Sequence, residues 1–379
     1  MKTKNRTQLH IAMVGQKTMP AEDASRGGVE VVVEKLAPRL VSLGQEVTCY
    51  NRRGCSNGGR TEYKGVRLID VPTIRRRGLS AATSSIFASF CVAFGHYDIA
   101  HYHAEGPCFL LWLPHLFHKR CIVTIHGLDW QREKWKSGFG SWYIHQGEKM
   151  AVRYADEIIV LSKSAQDYFL KEYNRKTVLI PNGIEKAQQR EPKLIRENLN
   201  LQGNDYILFL GRIVPEKGLR TLIRAFMKTK TDKKLVIAGQ YPDSPEFFEE
   251  LETMAGPDSR ILFPGFVTGR LLQELYSNCY FYVLPSTLEG MPLGLLEAMS
   301  YGRCCLTSDI PECTEITGGH TLTFHSGDEA DLQGKMQDLL NHPEKVNSYE
   351  DGAADYVLSR FNWDEVARKT LDLYRGQEE

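Results

Sequence analysis

The residues that most clearly suggest chemistry are two glutamates, Glu289 and Glu297, in the segment Ser286–Met299. A strand is predicted to end at Leu284, and a helix is expected to include Pro292 in its first turn. The N–H groups of such a turn form an anion site. A carboxylate only accepts hydrogen bonds and can hold the vicinal hydroxyls of a sugar. The residues fit a sugar-phosphate site, and they also fit a capped core helix with two surface glutamates.

A second candidate site is the segment Gly211–Gly218, which contains Arg212 and Lys217. It lies where a predicted strand ends and a helix begins, which is where ligands bind in open α/β sheets. Arg212 offers a forked donor for phosphate oxygens and Lys217 a point charge, so together they could offset the charge of a diphosphate. A basic turn solvated at the surface is the alternative that these residues leave open.

Two weaker features lie nearer the N-terminus. Gly27 and Gly28 precede an expected helix, where glycines let the backbone approach a ligand and the helix N-terminus favours an anion. His126 follows a predicted strand and is expected to face the space between two domains, in a loop position typical of functional histidines. A plain turn and a structural histidine are the corresponding alternatives.

Several classes of function are disfavoured by what the sequence lacks. Neither a GxGxxG fingerprint nor a GxxxxGK[ST] loop occurs, which disfavours a dinucleotide dehydrogenase and a P-loop site. The nine cysteines show no CxxC spacing and are expected to be reduced thiols in cores, with no metal site. Lys plus Arg and Asp plus Glu each number 47, so no net charge points to a nucleic-acid partner.

The elements that must position these residues alternate between short apolar strands and amphipathic helices, which predicts parallel sheets with helices on both faces. Strands are predicted at Leu9–Val14, Glu46–Tyr50, Val66–Val71, Ile99–His103, Cys121–His126 and Glu157–Leu161. The rhythm restarts after residue 184, with strands at Tyr206–Leu210, Leu235–Ala238, Arg260–Phe263, Phe281–Leu284 and Cys304–Thr307. Among the helices, Val29–Leu43 should be kinked or shortened by Pro38.

Turn signals in Ile180–Ile184 predict a domain boundary, with one domain at 1–183 and a second at 184–360. The polar N-terminus lacks the apolar core of a signal peptide, so we expect a cytoplasmic protein. No segment is apolar and long enough for a transmembrane helix. Arg75–Arg77, before the apolar stretch Leu79–Phe94, fits either a peripheral contact with the inner face of the membrane or a solvated charge run.

Taken together, these residues resemble the retaining GT-B glycosyltransferases of family 4. The motifs that carry the resemblance are Glu289-x7-Glu297 with Gly290-Met-Pro-Leu293, Gly211-Arg212 with Glu216-Lys217-Gly218, Gly27-Gly28, Thr124–Gly127, Tyr154–Ser162 and Pro181–Ile184. They are spread in family order over almost the whole chain. One departure is Arg303-Cys-Cys-Leu306, where the family usually has a Pro-Val-type run. The fold implied is α/β, GT-B, with two Rossmann-like domains facing a cleft.

The resemblance implies retaining, metal-independent sugar transfer from a nucleotide-diphosphate-sugar, which is a co-substrate, with no cofactor. The donor would bind mainly to 184–360, and the helix in 361–379 would return to the first domain. Glu289 would hold the donor sugar and Glu297 the ribose diol. The other implied contacts are Arg212, Lys217, Gly27 and Gly28 with the diphosphate, the backbone of Gly290, Met291, Pro292 and Leu293 with sugar and phosphate, Gly265 and Phe266 with the base, and His126 with the sugar.

The first domain is more loosely similar to bacterial transferases that build surface polysaccharides, as in Ala37–Leu40 and Tyr63–Arg67. That similarity implies a saccharide or lipid-linked saccharide acceptor and a role in the cell envelope. Fold alone does not fix function. A nucleotide-sugar epimerase, which needs no acceptor, and a non-catalytic GT-B module that binds nucleotide or glycan are the alternatives. A phosphorylase is disfavoured because no lysine context for pyridoxal phosphate is found.

Overall fold

The computed structural model describes residues 8–20, 27–55, 58–76, 79–131, 138–241, 245–256 and 258–377. Arg77 lies outside these described residues. The chain divides into two compact units. Unit 1 comprises Met1–Gly183 and Trp363–Glu379, and unit 2 comprises Ile184–Asn362.

Unit 1 is built on an eight-stranded sheet. Its strands are β1 (His10–Val14), β2 (Glu46–Arg52), β3 (Glu62–Tyr63), β4 (Val66–Val71), β5 (Ile99–His103), β6 (Arg120–Ile125), β7 (Glu157–Val160) and β8 (Val178–Leu179). Their order across the sheet is β3-β4-β2-β1-β5-β6-β7-β8. The short edge strand β3 pairs antiparallel with β4, and the other pairs are parallel. The predicted parallel sheet is therefore confirmed.

Helices cover both faces of this sheet, because alternate strand residues point to opposite sides. The first five helices are α1 (Gly28–Ser42), α2 (Leu79–Phe94), α3 (Trp112–Leu116), α4 (Gly138–Tyr154) and α5 (Lys163–Tyr173). On β1, Ile11 and Met13 belong to the core that includes α1. Ala12 and Val14 belong to the core that includes Val92 of α2. One apolar layer thus packs on each face of the sheet.

Helix α1 runs through Pro38 and continues to Ser42, so the expected shortening at the proline is wrong. The residues around Pro38 explain this continuity. Leu36, Ala37 and Leu40 are all buried in the core of unit 1. Packing of this apolar face holds the last turn in helical conformation although the proline removes one backbone donor.

Unit 2 contains a second, fully parallel sheet of six strands in the order β11-β10-β9-β12-β13-β14. The strands are β9 (Tyr206–Leu210), β10 (Lys234–Ala238), β11 (Ile261–Gly265), β12 (Phe281–Leu284), β13 (Cys305–Ser308) and β14 (Leu322–Phe324). The helices are α6 (Leu194–Leu199), α7 (Leu219–Met227), α8 (Pro245–Ala255), α9 (Gly269–Asn278), α10 (Leu293–Ser300), α11 (Pro311–Thr317), α12 (Glu329–Asn341), α13 (Pro343–Glu350) and α14 (Ala353–Arg360).

The last helix, α15 (Trp363–Arg375), is part of unit 1 although it follows unit 2 in the chain. Trp363, Leu371 and Tyr374 are buried in the same core as α1. The Tyr374 hydroxyl is 2.6 Å from Nδ1 of the buried His101 on β5. Nε2 of His101 is 2.7 Å from the Thr124 hydroxyl on β6. A buried polar chain therefore ties the returning helix to two central strands.

No helix among the described residues is both long enough and apolar enough to cross a membrane. All nine cysteines are free thiols, and seven of them are buried, as in Cys49 and Cys121. The expectation that the cysteines fill cores is confirmed for these seven.

The buried His101 predicts that stability falls in acid. Burial lowers the pKa of His101 to about 3, whereas a histidine in an unfolded chain titrates near about 6.5. Between these values the unfolded chain binds a proton that the folded chain does not. The stabilisation is therefore complete above about pH 6.5 and is lost by about 1.4 kcal/mol per pH unit as the pH falls toward 3. Urea unfolding at several pH values should show a shallower pH dependence for His101→Gln.

Tyr374→Phe is the matched control, because it removes the hydrogen bond to His101 but leaves the imidazole in place. It should lower the free energy of unfolding by about 1 kcal/mol at every pH and keep the wild-type slope. Equal slopes for wild type and His101→Gln would show that His101 takes up its proton in the folded protein.

Candidate active site

Two loops of unit 2 meet at the carboxyl ends of adjacent strands. One follows β9 and contains Arg212 and Lys217, and the other follows β12 and leads into α10. The backbone N–H of Thr287 donates to the Glu216 carbonyl at 2.9 Å. Gly218 has a φ of +68°, and a Cβ there would lie 2.0 Å from the Pro285 carbonyl oxygen. Only glycine permits this close approach, so the two predicted segments are fastened together.

Lys217 and Glu289, one from each loop, form an ion pair through Nζ and Oε1. The Ser286 hydroxyl donates to the same Oε1 at 2.6 Å. The side chains of Lys217 and Glu289 are only 14% and 8% exposed. Because both contacts fall on Oε1, the carboxylate is held in one orientation. A cation and an acceptor for hydroxyl groups thus stand side by side at this edge.

Glu297 lies inside α10 and is oriented by a buried tyrosine. The Tyr276 hydroxyl on α9 donates to Glu297 Oε2 at 2.9 Å. Burial, and then the charge of Glu297, raises the pKa of Tyr276 well above its usual value. Tyr276 therefore stays a phenol and remains a donor to the carboxylate.

The segment between the two glutamates brings backbone close to β9. Pro292 caps the start of α10 instead of standing in its first turn, so the expected position of Pro292 is off by one residue. Met291 and Pro292 are buried, while Gly290 and Leu293 are half-buried. A Cβ on Gly294 would lie 3.1 Å from the Leu210 carbonyl oxygen. The first turn of α10 therefore packs directly against the end of β9, and Pro292 has no polar side chain to cap it.

Other predicted residues of unit 2 occupy the same sheet edge. Gly265 ends β11, which is two strands from β9 in the sheet. Phe266 follows it and is 39% exposed. Arg212 is half-buried on the loop after β9. The residues assigned to base and diphosphate are thus placed along one edge, with Lys217 and Glu289 in direct contact.

The glycine pair of unit 1 stands where α1 begins, with Gly27 at the N-cap and Gly28 as the first helical residue. Glu30 follows in the first turn and is buried, and its Oε1 accepts a hydrogen bond of 2.8 Å from the Lys17 N–H. A Cβ on Gly27 would lie 2.5 Å from Glu30 Oε2. The Glu30 carboxylate already interacts favourably with the positive end of this helix. Any anion bound at the N-terminus of α1 would therefore share that end with Glu30.

His126 follows β6 and is joined to a second histidine, His103, at the end of β5. His103 Nδ1 lies 3.1 Å from His126 Nε2. His103 is fully buried, and its Nε2 has no hydrogen-bond partner among the described residues. Burial, and then the neighbouring His101 and His126, lowers the pKa of His103 well below its usual value. A neutral His103 has one N–H, so its tautomer determines whether His126 Nε2 accepts or donates.

Three residues with direct contacts to predicted site residues were missed by sequence reasoning: Ser286, Tyr276 and His103. His101 and His103 alternate on β5 and share one face, which was a signal for a histidine cluster. Ser286 stands three residues before Glu289, a spacing that suggests a local side-chain contact. Tyr276 carries no comparable signal, because its contact with Glu297 joins two different helices.

One group among the described residues could in principle converge on a metal: His115, Cys121 and Asp156. Asp156 Oδ2 already accepts a hydrogen bond of 2.7 Å from the Cys121 backbone N–H. Burial raises the pKa of the Cys121 thiol, which disfavours the thiolate that a metal would need. We therefore assign no metal to this group.

A cavity of about 660 Å³ opens in unit 1 at the end of the sheet where the strands begin. Its lining includes His10 and Glu46, which begin β1 and β2, and Arg67 near the start of β4. Ligands of open α/β sheets bind outside the carboxyl ends of strands. The size of this cavity therefore does not make it the candidate active site.

Two family models match the chain. The model described as "Glycosyltransferase Family 4" matches residues 26–188, and the model described as "Glycosyl transferases group 1" matches residues 204–342. Each falls almost entirely within one of the two units. An uncharacterized glycosyltransferase from Methanocaldococcus jannaschii is 26% identical over 368 residues, covering 92% of this chain and 94% of that protein.

Solved structures show the same fold. Sucrose-phosphate synthase from Thermosynechococcus elongatus superposes with a TM-score of 0.83 at 22% identity, covering 98% of this chain and 99% of that one. Anabaena Alr3699/HepE in complex with UDP and glucose gives a TM-score of 0.81 at 15% identity, covering 97% and 100%. Both carry the GT-B fold, and the predicted fold class of two Rossmann-like domains is confirmed.

The near-buried pair of Lys217 and Glu289 predicts a large effect of removing one partner. Lys217→Met leaves a largely buried carboxylate without its cation and should lower the free energy of unfolding by about 3 kcal/mol. Adding Glu289→Gln should restore most of that loss, as measured by urea unfolding.

The control is Lys228→Met, because Lys228 pairs with Glu329 while its own side chain is 71% exposed. That substitution should change stability by less than about 1 kcal/mol. Equal losses in the two lysine variants would contradict a strong interaction between Lys217 and Glu289.

Proposed function

We propose that this chain, a glycosyltransferase of the family 4 type with a GT-B fold, moves a sugar from a nucleotide-diphosphate-sugar to a saccharide or lipid-linked saccharide. In this proposal transfer is metal-independent and retains the anomeric configuration. Unit 2 binds the donor, and unit 1 binds the acceptor. The enzyme acts in the cytoplasm, in the synthesis of a bacterial cell-envelope polysaccharide.

The observation that carries this proposal is the pairing of Lys217 with Glu289 at the carboxyl edge of the unit 2 sheet. Ser286 and Lys217 both bind Oε1 of Glu289, which leaves Oε2 to accept hydrogen bonds from hydroxyls of the donor sugar. Lys217 then lies beside the position of the sugar phosphate. Fixed charges of this kind stabilise a leaving group without reorganising during the reaction.

In the proposed step, an acceptor oxygen forms a bond to the anomeric carbon while the bond from that carbon to the diphosphate oxygen breaks. The acceptor proton passes to a phosphate oxygen on the same face of the sugar, and the nucleoside diphosphate leaves. Arg212 and Lys217 offset the negative charge that develops on the diphosphate, which is the task a metal performs in other transferases. Trapping a covalent glycosyl–enzyme adduct would contradict this route.

The rest of the donor is assigned to neighbouring groups of unit 2. Glu297, oriented by Tyr276, accepts hydrogen bonds from the ribose diol, since a carboxylate can bind both hydroxyls. Gly265 and Phe266 lie along the same edge and are assigned to the base. The complex of Alr3699/HepE with UDP and glucose supports a nucleotide-linked donor for this fold.

A thermal-shift screen against UDP-, GDP-, ADP- and dTDP-sugars in EDTA tests the donor and the lack of a metal requirement. A donor at a hundred times its Kd should stabilise the protein by about 2.7 kcal/mol. We expect one nucleotide class to stabilise the wild type, with the shift lost in Arg212→Ala. Arg220→Ala is the matched control, because Arg220 on α7 pairs with the exposed Glu250.

A shift that appears only after a divalent cation replaces EDTA would contradict metal independence. No shift with any nucleotide would favour the non-catalytic alternative, and conversion of the nucleotide-sugar without acceptor would favour an epimerase. Retention is checked separately by NMR of the anomeric proton in the first product formed.

The hydrogen bond between His103 and His126 predicts that His103 orients His126. In the proposal His126 contacts the transferred sugar. His103→Asn keeps a polar side-chain atom near Nδ1 and should retain nearly wild-type kcat. His103→Gln places its amide near Nε2 and should lower kcat about tenfold, the cost of about one hydrogen bond, without changing the donor KM.

The double variant His103→Gln/His126→Ala should be no slower than His126→Ala alone, because both changes remove one arrangement. Equal kcat for the Asn and Gln variants would contradict a role through Nδ1. Additive losses in the double variant would contradict a role through His126.

A further inference from the structure

Helix α2 (Leu79–Phe94) buries mostly small residues and leaves its phenylalanines exposed, unlike an ordinary surface helix. Its buried face consists of small residues, including Ser84, Ser85 and Ser89. The Ser89 hydroxyl donates to the Ser85 carbonyl at 2.8 Å and lies 2.8 Å from the Tyr102 hydroxyl. The Ser84 hydroxyl donates to the Ala81 carbonyl, so the hydroxyls of Ser84 and Ser89 are satisfied within unit 1. Its large apolar residues are left on the outside.

These outward residues continue onto α3 (Trp112–Leu116) and form what we call the aromatic surface. Its members are Phe87, Phe90 and Phe94 of α2 together with Trp112, Leu116 and Phe117. Phe94 is 65% exposed and Phe90 is 47% exposed. The rings of Phe94 and Phe117 are in edge contact at 4.7 Å, and those of Phe90 and Phe94 stack at 6.4 Å. The exposed rings of Phe90, Phe94 and Phe117 are therefore contiguous, unlike single exposed residues, which are common on protein surfaces.

The two segments that build the aromatic surface carry charged side chains of one sign, although Arg120 at the end of the second segment is paired with Glu157. Residues 73–97 and 106–120 contain five Arg or Lys residues and no Asp or Glu, although the formal net charge of the whole chain is zero. Arg75 and Arg76, just before α2, are exposed. The sixteen residues of α2 carry no charge at all. An uncharged aromatic face beside exposed cations complements a surface that is apolar inside and anionic at its boundary.

A second copy of this chain fits that surface poorly. A two-fold dimer apposes the same patch on both subunits, so the arginines of one copy would meet an uncharged or basic part of the other. The two segments that build the surface contain no carboxylate to offset them. Lipid phosphates lie in one plane and can neutralise the arginines, while the acyl chains beneath them accommodate the phenylalanine rings.

We infer that the aromatic surface binds the anionic surface of a lipid bilayer. Phe90 and Phe94 enter the boundary between headgroups and acyl chains, and Arg75 and Arg76 contact lipid phosphates. Unit 1 is then a peripheral membrane module with α2 lying along the interface. This inference does not rest on the proposed sugar transfer, because membrane binding needs neither donor nor acceptor.

Co-sedimentation of the full chain with vesicles tests it. We expect binding to phosphatidylcholine vesicles that contain phosphatidylglycerol and much weaker binding to phosphatidylcholine alone. Phe90→Ser/Phe94→Ser should reduce the partition coefficient at least about tenfold. Arg75→Gln/Arg76→Gln should reduce binding and also its dependence on salt. Leu170→Ser is the matched control, because Leu170 is 48% exposed on α5 (Lys163–Tyr173), away from the aromatic surface.

Because both phenylalanines are exposed, the double serine variant should keep the wild-type melting temperature, which shows that it is folded. Wild-type binding that is equal on both vesicle types would overturn the recognition of anionic lipid. Unchanged binding of the serine variant would overturn the assignment to the aromatic surface. Self-association of the wild type without vesicle binding, lost in the serine variant, would assign the surface to a second copy instead.

Discussion

Neighbouring strands in both units run in the same direction, except at the edge strand β3. Each parallel connection must return to the starting end of the sheet, and within each unit all but the one between β2 and β4 do so through a helix. All carboxyl ends then fall at one edge, which is why residues as distant in sequence as Lys217 and Glu289 can touch. The candidate site of unit 2 is a consequence of this strand direction, together with loops short enough to meet.

At the carboxyl ends of the unit 2 strands, the site side chains orient one another. Lys217, Glu289 and Ser286 fix one another, and Tyr276 fixes Glu297. Each carboxylate therefore already has at least one ordered partner, so little side-chain freedom is left to lose when a ligand binds. Gly218 and Gly294 support this order, because their missing side chains let the loop after β9 lie against the Pro285 carbonyl and α10 lie against the end of β9.

The strands could be predicted closely because buried parallel strands are short apolar runs bounded by glycine or polar residues, as in Tyr206–Leu210 and Ile99–His103. The expected shortening of α1 at Pro38 is wrong because local propensity does not include the packing of Leu36 and Leu40. The partners of site residues were harder to foresee. Tyr276 and Glu297 meet only through the packing of α9 against α10, and no local pattern encodes that contact. For α2, the apolar composition was evident, but only the structure shows that its serines face inward.

Helix α15 has a consequence for how the chain is made. Unit 2 is continuous in sequence and has all its strands once Asn362 has left the ribosome. Unit 1 still lacks Trp363, Leu371 and Tyr374 at that moment, although most of it was synthesised first. Its core against α1 stays open, and His101 lacks the Tyr374 hydroxyl, until the last helix emerges. The first-made unit is thus completed only after unit 2, and the apolar layer that α15 covers stays open while residues 184–362 are synthesised.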